Sequence, residues 1–169
     1  MGLRPGFALD SAAAILKDGG VESALLHGGT STAVAIGIPP EAEIWKVAVS
    51  PPDVWKRARK EEDRERALAV VALSNDSLSI SAVSGKGFQF GDQYYGHVLD
   101  PRTGYPVSRW DIAVVRASSA TASDALSTAL LVGGPDILQK AKESGVVDGY
   151  TVANWKLASA EPDQVRDGI

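Results

Sequence analysis

The chain has 169 residues, 44% hydrophobic and 22% charged, with 17 basic against 21 acidic side chains and a net charge of -4. That length and a mean hydropathy of -0.03 fit one soluble globular domain that buries its own core, and exclude a disordered or collagen-like chain. The acidic balance gives phosphate backbones no long-range attraction and no basic patch stands out, so no nucleic-acid partner is expected; the absence of cysteine excludes disulfides, thiolate zinc and thiol catalysis, leaving oxygen or histidine to hold any metal.

No apolar run approaches the length of a signal peptide core or a membrane span, so neither is expected. Apolar positions Phe7, Ala8, Ala12, Ile15 and Leu16 recur at helical spacing and predict a helix over 7–17, stopped by Gly19-Gly20. Strands are predicted at 23–27 and 32–37, joined by Gly28-Gly29-Thr30-Ser31, with a third at 43–49 continuing the pair as a meander. Segment 56–66 (KRARKEEDRER) mixes six basic with four acidic residues and reads as a solvated loop or exposed helix. Asn75-Asp76-Ser77 matches a glycosylation acceptor but suits a polar turn as well.

Further strands are predicted at 68–73, 78–83, 94–99 and 111–117. Ser118 or Ser119 can cap a helix reaching about Val132, Gly133-Gly134-Pro135 breaks it and starts a second helix to about Glu143, and a last strand covers 147–152. Residues from about 156 to 169 read as a loose tail. Strands in runs with helices at either end predict an α+β layer arrangement within a single domain.

Three segments could carry chemistry. In His97-Val98-Leu99-Asp100-Pro101-Arg102-Thr103-Gly104-Tyr105-Pro106, a strand enters a turn in which Asp100 can bond forward to the backbone and Gly104 can take a left-handed position. The turn itself requires neither His97 nor Thr103, and an imidazole beside a loop rich in N–H donors is a candidate proton carrier, against a hydrogen-bonded structural histidine. In Ser123-Asp124-Ala125-Leu126-Ser127-Thr128-Ala129, a helix would put Asp124 and Thr128 on one face, two hard oxygens suited to magnesium. The alternative is that Asp124 complements the helix dipole and Thr128 bonds back to a carbonyl. Gly28-Gly29 can bring bare backbone close to a phosphate, although a tight hairpin would use the same residues. Gly85-Lys86-Gly87-Phe88-Gln89-Phe90 lacks the third glycine of a dinucleotide fingerprint, and neither a Walker pattern nor a Gly-x-Ser-x-Gly elbow is present.

In this order the segments resemble the FAD:protein FMN transferase family, also called the ApbE family. Its His-x-x-Asp-Pro-x-Thr-Gly-x-Pro segment is met at His97, Asp100, Pro101, Thr103, Gly104 and Pro106, and its Ala-Asp-Ala-Leu-Ala-Thr-Ala helix is similar to residues 123–129. Its Lys-Gly-Tyr-Ala-x-Asp helix start resembles Pro5-Gly6-Phe7-Ala8-Leu9-Asp10, with proline at the family's lysine, and its Gly-Gly-Asp turn resembles Gly28-Gly29-Thr30, with threonine at the acid. The resemblance implies a T-fold-like layer of antiparallel strands with packed helices. It also implies magnesium-dependent transfer of FMN from FAD onto a Ser or Thr hydroxyl of a target protein, with release of AMP.

By position the resemblance makes Asp124 and Thr128 the side-chain metal ligands and His97 the catalytic residue, as base or as phosphate-directed donor. Gly28, Gly29, Thr103 and Gly104 would lie against FAD, and Asp10 is a possible cofactor contact or a helix-surface aspartate. Family members carry a longer N-terminal portion, so the chain is expected to be a shortened member. The alternatives are an impaired or non-catalytic FAD-binding domain and an FAD pyrophosphatase. Members are commonly anchored at the bacterial inner membrane through a lipobox cysteine, which this sequence does not contain, and the compartment stays open.

Overall fold

The structure, a computed structural model, describes residues 4–51, 67–83, 87–91, 93–108 and 111–153. The mixed-charge segment 56–66 and the expected tail at 156–169 lie outside the described residues. Helix α1 (Arg4–Asp18) leads into β1 (Ala24–His27) and β2 (Thr32–Ile36), followed by β3 (Trp45–Val49), β4 (Ala69–Leu73), β5 (Ser77–Ala82), β6 (Gly87–Phe90) and β7 (Gln93–Gly96). After them come β8 (Ile112–Ala117), α2 (Ala120–Gly133), a 3-10 turn (Pro135–Leu138), α3 (Gln139–Glu143) and β9 (Val147–Ala153). The α+β arrangement expected from the sequence is present.

Five strands form one antiparallel sheet in the order β1-β2-β5-β8-β9. All five residues of β2, Thr-Ala-Val-Ala-Ile, are buried because both faces of the sheet are covered. On one face Val34 and Ile36 pack with Leu9, Ala13 and Ala120 of the helices, while Ala113, Val115 and Ala117 of β8 meet Leu130 and Leu131 of α2. On the other face Ala35, Leu78, Ile112 and Val114 pack against Val49, Val71 and Leu73.

Those last three side chains belong to β3 and β4, which pair with each other in a separate two-stranded sheet. The expected meander is therefore corrected: β3 leaves β2, and β5 takes the place beside it. Burial explains the exchange, since β3–β4 supplies the apolar cover that the second face of the sheet needs. A further hairpin, β6–β7, stands apart as a third sheet, with the exposed Phe88 ring stacked on Tyr95 at 5.3 Å. Strand β7 ends at Gly96, short of the expected Leu99, which makes only an isolated bridge to Pro106. Asn75 turns the chain between β4 and β5 with φ +57, and its Oδ1 accepts the Gly37 N–H. Among the described residues no helix is long and apolar enough to cross a membrane.

Candidate active site

Helices α1 and α2 meet at their N-terminal ends, at Gly6. A Cβ added there would lie 2.5 Å from Ala120 O and 2.9 Å from Thr121 Cα, so only glycine allows this approach. Each helix then receives a carboxylate from the other. The Gly6 N–H, one of the unpaired donors of the first turn of α1, donates to Asp124 Oδ2 at 3.2 Å. In return Asp10 accepts from Ala120 N–H at 2.7 Å, Thr121 N–H at 2.8 Å and the Thr121 hydroxyl at 2.6 Å. Two positive helix ends are thus neutralised by two aspartates. Ser119, one of the two cap candidates, completes the entry to α2 by accepting the Ala122 N–H at 3.2 Å.

Below α2 runs a row of buried hydroxyls. Ser77, Ser79 and Ser81 alternate along β5 on the helix-facing side, with the two-residue period of a strand. Ser77 Oγ bonds Ser123 Oγ at 3.0 Å and Ala117 O at 2.9 Å; Ser79 Oγ lies 3.0 Å from Thr32 Oγ1; Ser81 Oγ lies 2.9 Å from Ser127 Oγ and 3.1 Å from Thr128 Oγ1. Serine is small enough to let the helix lie close on the strand, and each hydroxyl finds a partner, as burial demands.

Asp124 and Thr128 follow one another on α2, one turn apart, as the sequence predicts. Asp124 is 8% exposed, and its Oδ1 takes no donor among the described residues. The Thr128 hydroxyl donates weakly to Asp124 O at 3.4 Å and lies 3.1 Å from Ser81 Oγ, which leaves it one lone pair for a further partner. A carboxylate oxygen without a donor, followed by a hydroxyl, is a donor set suited to a hard cation such as magnesium. Among the described residues no cluster of three or more His, Asp or Glu is present, so a cation here would complete its shell with water, phosphate or backbone oxygen.

The segment after β7 folds as its residues dictate. Asp100 Oδ1 accepts the Arg102 N–H at 2.9 Å, the Asp100 carbonyl accepts from Thr103 and Gly104 N–H, and Gly104 sits at φ +73, where a side chain would be strained. The Thr103 hydroxyl accepts the Tyr105 N–H at 3.2 Å. The Arg102 guanidinium, hydrogen-bonded to Asp100 through Nε and Nη2, holds that carboxyl down to about 2. Arg102 Nη2 also donates to Val132 O at 3.3 Å, which docks the turn on the last turn of α2. Between them opens a cleft of about 380 Å³, lined in part by Thr103, Tyr105, Pro106, Ser108 and Val132. It holds Thr103 but neither Asp124 nor Thr128, which lie further back along the same helix.

His97 is exposed at the end of β7, directly ahead of the buried Val98 that anchors the turn in the core. Gly28 lies 3.2 Å, at its ideal Cβ, from Leu9 Cδ1 and 3.8 Å from Pro5, so the β1–β2 turn is seated on the first turns of α1. Gly29 takes φ +70, and its carbonyl accepts from His27 Nδ1 at 3.2 Å. The structure thus joins Gly28 to α1, α1 to Asp124, and the Thr103-Gly104 turn to the far end of the same helix. Both oxygens of Asp10 accept from the N-terminus of α2, which ties it to the same helix. Sequence reasoning missed that bond set and the hydroxyl row; the only signal for the latter was the Ser-x-Ser-x-Ser alternation at 77–81.

A family model described as the ApbE family matches residues 2–150. The FAD:protein FMN transferase of Escherichia coli K12 is 31% identical over 149 residues, covering 87% of this chain and 39% of that protein. The Klebsiella pneumoniae (strain 342) enzyme of the same name is 29% identical over 144 residues, covering 83% and 38%. Among solved structures, the ApbE protein of Thermotoga maritima superposes with a TM-score of 0.71 at 25% identity, covering 87% of this chain and 45% of that one. The apo flavinyl transferase ApbE of Pseudomonas stutzeri gives 0.66 at 28% identity, covering 89% and 43%. The chain spans about two fifths of the curated relatives it matches. On the match over residues 2–150, the chain belongs to the ApbE family.

Proposed function

We propose that this chain performs FMN transfer from FAD to a Ser or Thr hydroxyl of a target protein, with magnesium, releasing AMP. The observation that carries it is the arrangement along α2: the Asp124–Thr128 pair stands on the helix to whose end the His97-to-Pro106 turn is tied by Arg102. The name shared by the relatives, FAD:protein FMN transferase, supplies the reaction class. In the reaction the acceptor oxygen forms a bond to the FMN phosphorus, the bond from that phosphorus to the bridging oxygen breaks, and AMP departs with that oxygen. The hydroxyl proton passes to His97, or His97 donates to a phosphate oxygen while solvent takes the proton. Asp124 and Thr128 would hold magnesium, which supplies charge neutralisation at the pyrophosphate as AMP leaves. Gly28, Gly29, Thr103 and Gly104 offer backbone without side-chain bulk, or with a short hydroxyl, where FAD would lie.

The test is incubation of the chain with FAD, magnesium and a Ser/Thr-containing acceptor, read by mass spectrometry for a phosphoester-linked FMN. Adduct formation lost in Asp124→Ala and His97→Ala is expected; equal adduct in both variants would overturn the assignment. A second reading, FAD binding without transfer, is favoured by Pro5, which puts no charge where the family has lysine. It predicts FAD held intact, with no AMP formed.

A further inference from the structure

We propose that Asp10 is the positioning residue of the Asp124–Thr128 pair, acting by locking the first turn of α2 rather than by touching FAD. The inference rests on the reading of that pair as a magnesium site. Three donors of α2 converge on the Asp10 carboxylate at 2.6 to 2.8 Å, two of them backbone N–H groups of the unpaired first turn and one the Thr121 hydroxyl. Hydrogen bonds to an ionised carboxylate are the strong ones, and a part-buried setting strengthens them. Asp124 lies one turn after these anchored residues and Thr128 one turn further, so the rotation of α2 about its own axis is fixed at the Asp10 end. The same contact brings Gly6 N–H onto Asp124 Oδ2, which holds that carboxylate by one oxygen and leaves the other to a cation.

The geometry has a directional consequence. With α2 released at its first turn, the row of serine bonds still holds the helix against β5, so the fold persists. What changes is the aim of Asp124, because Gly6 and Asp10 both approach from α1 and no other described residue donates to that carboxylate. The loss should therefore appear as weakened cation binding in a chain that still folds.

The test uses manganese as the probe ion, titrated into the full chain and followed by electron paramagnetic resonance, in 0.5 M KCl so that the effect of charge removal alone is screened. Wild type, Asp124→Asn, Asp10→Asn and the charge-neutral Thr121→Val are compared, each with a melting curve and an amide spectrum. Loss of binding in Asp124→Asn, with affinity reduced about tenfold in Asp10→Asn and two- to threefold in Thr121→Val, is expected, the helix amides staying folded. Binding lost in Asp124→Asn but unchanged in both other variants overturns the role of Asp10 and leaves the metal pair standing. Binding indifferent to Asp124→Asn, or absent from wild type, overturns the metal pair and the role of Asp10 with it. Should Asp10→Asn not fold, Thr121→Val decides alone: unchanged affinity counts against the proposal.

Discussion

The contact at Gly6 permits a sharp perturbation. In Gly6→Ala the new methyl would sit 2.5 Å from Ala120 O, about 0.9 Å inside ordinary contact, and the obstructing atoms are backbone with no rotamer to retreat into. Helix α1 must move away by about that amount, which stretches the 2.6 to 2.8 Å bonds to Asp10 to roughly 3.5 Å, beyond useful hydrogen-bond length. Overpacking of this kind costs about 1–3 kcal/mol, and weakened bonds to a charged acceptor add about 1.5–3 kcal/mol. Alanine returns about 1 kcal/mol through its better helix propensity. The net loss is about 3 kcal/mol, or roughly 6–12 °C in Tm for a domain of this size. Urea and thermal unfolding of Gly6→Ala against Gly19→Ala, where the nearest atoms to an added Cβ are at 3.4 Å, measures it. Gly19→Ala should stay within about 1 kcal/mol of wild type. Equal stability of the two variants would refute the close approach of the helices.

Three further outcomes follow from the geometry. The Asp100 carboxyl, held at about 2 by Arg102, lies below its ordinary 3.8, so the ion pair contributes above about pH 4 and is lost as pH falls toward 2. NMR titration of Asp100 in Arg102→Ala should show its midpoint returning toward 3.8, and an unchanged midpoint would remove Arg102 as the cause. Ser77→Ala should cost about 1 kcal/mol, whereas Ser77→Val, which also thickens the gap between β5 and α2, should cost about 1–3 kcal/mol more; the reverse order in urea unfolding would contradict close packing across the serine row. Under the proposed transfer, His97→Ala should lower AMP release about 10²–10⁴-fold, followed by chromatography, and release equal to wild type would remove His97 from the chemistry.

Much of the fold can be read from local pattern. The β1–β2 hairpin, the α1 stop at Gly19-Gly20 and the Asp100-to-Gly104 turn each carry their determinants within a few residues. Pairing across long intervals is different. Residues 45–49 alternate like any half-buried strand, and nothing in that alternation says whether β2 or β4 lies alongside. Alternating serines suit a solvent face by the same rule, yet those of β5 are buried, Ser77 and Ser81 against hydroxyls of α2 and Ser79 against the Thr32 hydroxyl of β2. Glycine at both ends hid β6, read only as an incomplete phosphate loop.

The candidate site divides the same way. Asp124 and Thr128 share a helix face, which a four-residue spacing reveals, and the turn at 100–104 names its own conformation. Asp10 meets its partners 110 residues further along, and a lone aspartate on an amphipathic helix gives no sign of it. Gly6 was legible only as part of a family motif; its reason, the backbone of α2 at van der Waals distance, needs the tertiary fold.

The most direct measurement is AMP release from FAD by the purified chain, followed by chromatography with and without magnesium, for wild type, His97→Ala and Asp124→Ala. Transfer chemistry on this fold predicts release that requires the metal and both side chains. Release that persists without magnesium, or in Asp124→Ala, would contradict it, as would FAD bound by the wild-type chain and left intact beside an acceptor.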